Sequence, residues 1–550
     1  MNLTAGWRRL KSAGYRTALY RASLNGEVPT RLTVLPQSTW PGDPDKADEF
    51  FRGRYRFNGR EERAPNQPPW RLRPEDTDWL RALHRFDWLR DFSAAGGETA
   101  QAHARRLVRS WIEMCDTIDR VTWAPEVIGR RLANWLSHAA FLLRGADPVF
   151  AHAVNNSVML QWRHLQRVAG DADDGPAAFD CALGLVYGAL VLPGEDRSLA
   201  KLLARLGAEL DGQVLTDGCY MTRSPTDQLS LLRDLIALAD ALSQGERPVP
   251  AWLGQLAGRL VPVLSAFRHA DGGLALFNGG YEEDADTIRQ ALARIENAAG
   301  PARLGGGESG FHRLEAGDAV VLIDAGTPPL GPAGRLAHAG TASFELSIGP
   351  HRLVTNCGSG IGRNADWRRA MRRSAAHSTL VIADTDSAYH DEFAGYLRRP
   401  TKPRNRRHED EAGSLWLDLS HDGYVGEHGV MHHRRLFLDG DGGDFRGQDI
   451  LRPPDLKGAP SASLMDGKPF VLRFHLHPDV QASPVQGGSA VLLRLGGRDG
   501  WRFRAAGGIV NVEESVYLGR RGHMRRTQQI VVSGKMRGDG ATVKWAFRRA

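Results

Sequence analysis

At LGGGESG, residues 304–310, the spacing of the apolar residues changes, and that change restricts the fold more than any other feature of the chain. Before it, segments such as WLRALHRFDWLRDF, IGRRLANWLSHAAFLL and LSLLRDLIALADAL repeat Leu, Trp and Phe at the interval of an amphipathic helix. After it, AVVLIDAG, SFELSIG, HRRLFLDGDG and TVKWAFRR alternate with the period of two that a half-buried strand needs, and Gly, Asn or Asp turns end most of them. Strands that follow one another without helices between them pair antiparallel and stack face to face to bury one side. The expected architecture is α+β and multidomain: a lead-in at 1–77 wrapping the helices, a helical domain at 78–303 and an antiparallel β-sandwich at 304–550.

With 550 residues, 42% of them hydrophobic, the chain is long enough for two cores. Cys115, Cys181, Cys219 and Cys357 lie far apart without a CxxC, which argues against a disulfide framework or a cysteine zinc site. The apolar run CALGLVYGALVLP at 181–193 is too short to span a bilayer and reads as a buried helix. The first residues lack the apolar core of a secretory signal, so the expected location is cytoplasmic, with the cell envelope or periplasm as the alternative. The net charge of +7 rests on 71 basic residues, nearly all arginine, whose forked donors suit carboxylates, sulfates and phosphates. An acidic ligand is expected. No nucleic-acid-binding pattern accompanies the charge.

Several segments, in order, carry a likeness. WPGD (40–43), FDWLRDF (86–92), RLANWL (131–136), the pair Asn155 and Asn156, DGCYMTRSP (217–225), SGFHRLEAGDAVVLIDAG, AHAGTASFELSIGPHRLVTNCG and RRSAAHSTLVIAD together resemble the heparinase II/III-like proteins over nearly the whole chain. The resemblance implies an N-terminal (α/α) toroid followed by a C-terminal antiparallel β-sandwich. It also implies a polysaccharide lyase that cleaves uronic-acid-containing glycans by β-elimination, with an acidic polysaccharide or oligosaccharide as partner. That reaction needs a group to neutralise the uronate carboxylate, a base for the C5 proton and an acid for the departing O4. No cofactor is required for this chemistry, although some relatives hold a structural zinc.

Carried over by position, the asparagine pair maps to Asn155 and Asn156, as catalytic candidates; Asn also suits a helix amino-terminal cap. The histidine that follows in the family is Ser157 here. The family's Ser-Pro-x-Tyr-His is Ser224, Pro225, Thr226, Asp227, Gln228, so the catalytic tyrosine has no counterpart at that place. Where the lyases have Gly-His-Ala-His-Ala-Asp, this chain has Arg335, Leu336, Ala337, His338, Ala339, Gly340. The zinc ligands of the metal-containing relatives map to His338, Asn356 and His377. Neutral Asn is a poor substitute for Asp as a zinc ligand.

Outside these motifs, SHDGY and VMHHRRLF concentrate His421, Tyr424, His432 and His433 near arginine, and Tyr424 and His432 are the remaining catalytic candidates. A cation beside a phenol lowers its pKa. Arg131, Trp135 and Arg223 are the candidates for substrate contact, through carboxylate pairing and sugar stacking. His475 and His477 in RFHLHP read as a structural strand. The leading expectation is a lyase on acidic glycans. The alternative is a non-catalytic glycan-binding or structural protein that retains the lyase fold, which is what the substitutions at 157, 227, 228, 336 and 340 would produce.

Overall fold

The computed structural model describes residues 14–295, 304–361, 364–391, 395–399, 401–454, 466–496, 499–538 and 540–550. The chain forms two compact units, one from residues 1–213 with 233–256, the other from 214–232 with 257–550. The helical toroid and the antiparallel β-sandwich are both present, in the order that the change of period requires.

Within the first unit the longer helices are α1 (Thr77–Arg85), α2 (Gly97–Met114), α3 (Pro125–Ser137), α4 (Pro148–Val168), α5 (Pro176–Val191) and α6 (Asp196–Asp211). Their starts are written locally. Asp76 accepts from the amides of Asp78 and Trp79, and Asp147 accepts from Phe150, so orphan donors at the amino ends of α1 and α4 are satisfied. Proline opens α3, α4 and α5, where its missing N–H costs nothing. The run CALGLVYGALV is α5, buried from Leu183 to Val191. It approaches α3 closely because Gly129 and Gly184 face each other: a Cβ on Gly184 would lie 2.4 Å from the Gly129 carbonyl oxygen. Trp79, Trp111, Trp135 and Phe86 fill the core beside it. The preceding chain is tied to these helices, with the Thr33 amide donating to Val191 O and that of Ser38 to Ser137 O. It also folds a small hairpin, Arg54–Phe57 against Arg60–Arg63, for which the sequence reading had no expectation.

The second unit contains two large sheets. One orders its strands β6 (Arg404–Glu409), β7 (Leu415–His421), β8 (Met431–Leu438), β9 (Asp444–Arg452), β16 (Ala541–Arg549), β13 (Asp499–Ala506), β12 (Ala490–Leu495), β11 (Val480–Val485). The other runs β14 (Ile509–Arg520), β15 (His523–Lys535), β10 (Pro469–Leu476), β4 (His351–Thr355), β3 (Phe344–Ile348), β2 (Ala319–Asp324), β1 (Phe311–Ala316), and β5 (Leu380–Ile382) also pairs with β10. Their inner faces share one core. Phe344 stacks on Trp545 at 5.5 Å and Phe474 meets Trp545 at 4.9 Å, so side chains from both sheets interdigitate. Residues 214–232 belong with this unit through Arg223, whose guanidinium pairs with Asp324 at the end of β2.

Candidate functional site

The surviving motif histidine lies between the short 3₁₀ turn Gly331–Leu336 and β3. Its amide donates to Asn278 Oδ1 at 3.2 Å, and Asn278 Nδ2 donates to the Arg223 carbonyl at 3.0 Å. Arg372, from the helix Ala365–Arg372, donates to the Ala337 carbonyl. His338 is therefore held from both sides before its ring makes any contact. His338 Nδ1 is 3.1 Å from His377 Nε2, and the rings meet edge to face with centroids 5.1 Å apart. His377 Nδ1 lies 2.9 Å from the Arg373 carbonyl, an acceptor only. It follows that Nδ1 of His377 carries the proton, that its Nε2 accepts, and that Nδ1 of His338 donates to it. Burial, reinforced by the neighbouring ring, holds His338 well below the usual imidazole range, and burial lowers His377 to about 4. Both rings are neutral at physiological pH. Gly340, which stands where the lyases have Asp, has a structural reason. A Cβ there would lie 2.8 Å from His377 Cδ2, so any side chain would displace that ring.

Asn356 does not join the pair. Its Oδ1 accepts from the Ser378 amide at 3.1 Å and its Nδ2 donates to Leu276 O at 3.3 Å, so both ends of the amide are used. Its backbone N–H donates to Glu345, a fully buried carboxylate that also accepts from the Leu276 amide and lies 3.0 Å from His269 Nε2. Cys357 lies 3.4 Å from His475 Nδ1, away from the His338–His377 pair, and burial pushes its thiol up to about 12. The expected zinc set His338, Asn356 and His377 thus corrects to two mutually bonded neutral imidazoles without an anionic partner. These residues do not fit a structural zinc centre, which takes four nitrogen, thiolate or carboxylate donors. Among the described residues, no group of three or more His, Cys, Asp or Glu is assembled for a metal.

Tyr424 and His432 are also internal. The Tyr424 hydroxyl donates to Leu380 O at 2.7 Å, and burial pushes the phenol pKa up, opposite to the lowering expected from a neighbouring cation. His432 points into the sandwich and His433 to its outer face, as alternation along β8 requires. His432 Nδ1 is 3.0 Å from His421 Nε2, and its Nε2 is 2.7 Å from Asp449 Oδ1. Asp449 also accepts from Arg434 Nε at 2.7 Å and, on its other oxygen, from Trp545 Nε1 at 2.8 Å. Burial acts to raise the Asp449 carboxyl, but Arg434 and His432 outweigh it and hold it well below the carboxylate range. Nη1 of Arg434 donates to both Ala342 O and Ser378 O, on the chain segments beside the His338–His377 pair. The sequence reading passed over Arg434, Asp449, Glu345 and Asn278. A signal existed for the first, since Arg434 shares a strand face with His432.

In the helical unit, Arg131 is fully buried. Its Nε donates to Gln161 Oε1 at 2.7 Å, its Nη1 to Thr122 O and His84 O, and its guanidinium lies 4.2 Å from the Trp111 ring centre. Burial lowers its pKa to about 9. Trp135 is packed between Phe86 and Trp111. Asn155 and Asn156 are inside α4 and cap nothing: Asn155 Nδ2 donates to Pro29 O at 3.0 Å, while Asn156 is exposed. In the other unit, Arg223 sits at φ 53° with its donors on Ser309 O, Thr327 O and Asp324. The expected substrate contacts Arg131, Trp135 and Arg223 are thus enclosed side chains that hold their surroundings together.

Residues 298–546 match the family described as Heparinase II/III-like, C-terminal. FtsZ-localized protein C of Caulobacter vibrioides (strain NA1000 / CB15N) is 33% identical over 536 residues, covering 95% of this chain and 91% of that protein. Among solved structures, a crystal structure of heparinase III superposes with a TM-score of 0.73 at 13% identity, covering 99% of this chain and 91% of that one. A mutant of the heparan sulfate lyase HepC from Pedobacter heparinus gives 0.62 at 14% identity, covering 97% and 87%.

Proposed function

The chain belongs to the heparinase II/III-like family, and from that premise we propose that it is a non-catalytic member, one that binds an acidic glycan and acts where FtsZ assembles. One observation carries the first half of this reading. Of the seven candidates for catalysis and substrate contact, Asn155, Asn156, Tyr424, His432, Arg131, Trp135 and Arg223, all but Asn156 are buried. A base or acid for β-elimination must reach a substrate delivered from solvent. Tyr424 and His432 are bonded to internal acceptors, and the substitutions Gln228 and Leu336 remove the family's own histidines. The second half rests on the 33% identity to FtsZ-localized protein C across both chains.

Purified full-length protein incubated with a panel of uronic-acid polymers tests the reading. Binding without growth of the ultraviolet absorbance of a conjugated double bond is expected, and a fluorescent fusion is expected to colocalise with FtsZ. Growth of that absorbance would overturn the non-catalytic reading.

A further inference from the structure

The outer face of the sheet that contains β6 to β9 carries more charge than the fold requires. Its inner face supplies the core through Leu417, Leu436, Phe445 and Trp545, and any polar residues would serve on the other side. The residues found there are cations in cross-strand rows. Register places Arg406, Arg435 and Lys544 in one row, Arg446 and Arg504 in the next, and Arg548 opposite Arg502 in the third. All seven are exposed. Among the described residues of these strands, the carboxylates facing the same way are Asp418, bonded to Arg435, and Asp444, bonded to Arg446 and Arg548. Like charges directly opposite across a strand pair cost stability, so the Arg502–Arg548 pairing is a feature the sheet tolerates and does not need.

The first row reaches from β6 to β16 and the next two lie further along the strands on β9, β16 and β13, so the cations form a band that slants across the sheet from β6 to β13. With five strand spacings, that band runs roughly 24 Å across the sheet. Beside it Trp416 and Phe437, both half-buried, meet at 4.6 Å, and the His408 ring lies parallel to Trp416 at 5.8 Å. A narrow line of guanidinium forks beside an aromatic platform matches a linear chain of rings bearing carboxylates or sulfates. A planar anionic surface would call for charge spread over the whole face.

We propose that this outer face is the path of a linear anionic polysaccharide; the choice of a glycan rests on the function proposed above. Arg406 and Lys544 of the first row and Arg502 of the third are the residues whose reversal tests it. Full-length wild type, the triple variant Arg406→Glu/Lys544→Glu/Arg502→Glu and a control, Arg197→Glu/Lys201→Glu/Arg205→Glu on the exposed side of α6, are titrated against heparan sulfate, hyaluronate and polygalacturonate, and against duplex DNA and phosphatidylglycerol vesicles. Circular dichroism melts verify that all three proteins are folded. Wild type is expected to bind at least one polysaccharide, with affinity that falls as salt rises, and the triple variant to bind on the order of tenfold more weakly while the control is unchanged. Undiminished polysaccharide binding by the triple variant, or equal weakening in the control, overturns the band while leaving glycan binding intact. If wild type binds no polysaccharide, the proposed function fails with it. Tighter binding of DNA or vesicles through the same three residues assigns the face to another ligand and also overturns the proposal.

Discussion

Two histidine pairs in the sandwich unit have nearly the same geometry and different surroundings. His338 and His377 meet at 3.1 Å with centroids 5.1 Å apart; His421 and His432 meet at 3.0 Å with centroids 5.0 Å apart, and both contacts are edge to face. The first chain of hydrogen bonds ends on a backbone carbonyl, that of Arg373. The second ends on the carboxylate of Asp449, which is itself held by Arg434. Two imidazoles in edge-to-face contact therefore do not by themselves define a site. Their last acceptor decides whether the pair is a neutral hydrogen-bond chain or part of a buried ionic network.

The largest expected effect separates the pairs at that acceptor. Asp449→Asn leaves Arg434 buried without a counter-charge, and unfolding in denaturant should show a loss of about 3–5 kcal/mol. A loss below about 1 kcal/mol would mean that the carboxylate does not distinguish the second pair. Next comes Gly340→Ala, which forces a Cβ against the His377 ring and should cost about 1–3 kcal/mol. An unchanged denaturation midpoint would show that the first pair has room to shift and is not set by Gly340.

Acid titration sharpens the contrast further. Histidines held neutral by burial bind fewer protons folded than unfolded, so their contribution is present above the unfolded value near 6.5 and is lost as pH falls below it. With the pKa of His377 lowered to about 4, the protein should lose on the order of 2 kcal/mol for that ring alone between pH 7 and pH 5. His377→Gln should flatten this part of the profile. Asp449 has the carboxylate sign: its depressed pKa contributes stability above about 4 that is lost as pH falls further. That second fall should vanish in Asp449→Asn and persist in His377→Gln, and the reverse pattern would break the assignment. The smallest effect is expected from zinc. Adding the ion or a chelator should leave the melting temperature unchanged, because the first pair offers two neutral nitrogens and the second has its carboxylate engaged by Arg434 and Trp545. A rise in melting temperature with zinc that His338→Ala abolishes would restore a metal reading.

Legibility differed from residue to residue. In MHHRRLFL, alternation sorts His432 and Arg434 from His433 and Arg435, but leucines lie on one face and Met431 and Phe437 on the other, so period alone does not say which face is inside. Sheet pairing resolves it, because Leu436 and Leu438 meet the opposite sheet's core. RLANWL read equally well as a sugar platform. Packing placed Trp135 against Phe86 and Trp111 and gave Arg131 the carbonyl of His84, near the end of α1, and that of Thr122. Helix ends leave such carbonyls free to accept from a buried cation.

The substitution at 340 was visible as a departure from the family, yet its reason required the position of His377, 37 residues on in the chain and 2.8 Å from the missing Cβ. The basic strands showed their arginines in the sequence, but the band across them depends on β16 lying between β9 and β13, a pairing of segments far apart in the chain. By itself, then, the sequence determined the helical and β-sandwich units, because side-chain period follows directly from backbone geometry. Only the tertiary structure decided which polar residues face the core, which histidines meet, and where the cations align, because each depends on strand pairings and packing contacts between segments that local pattern does not connect.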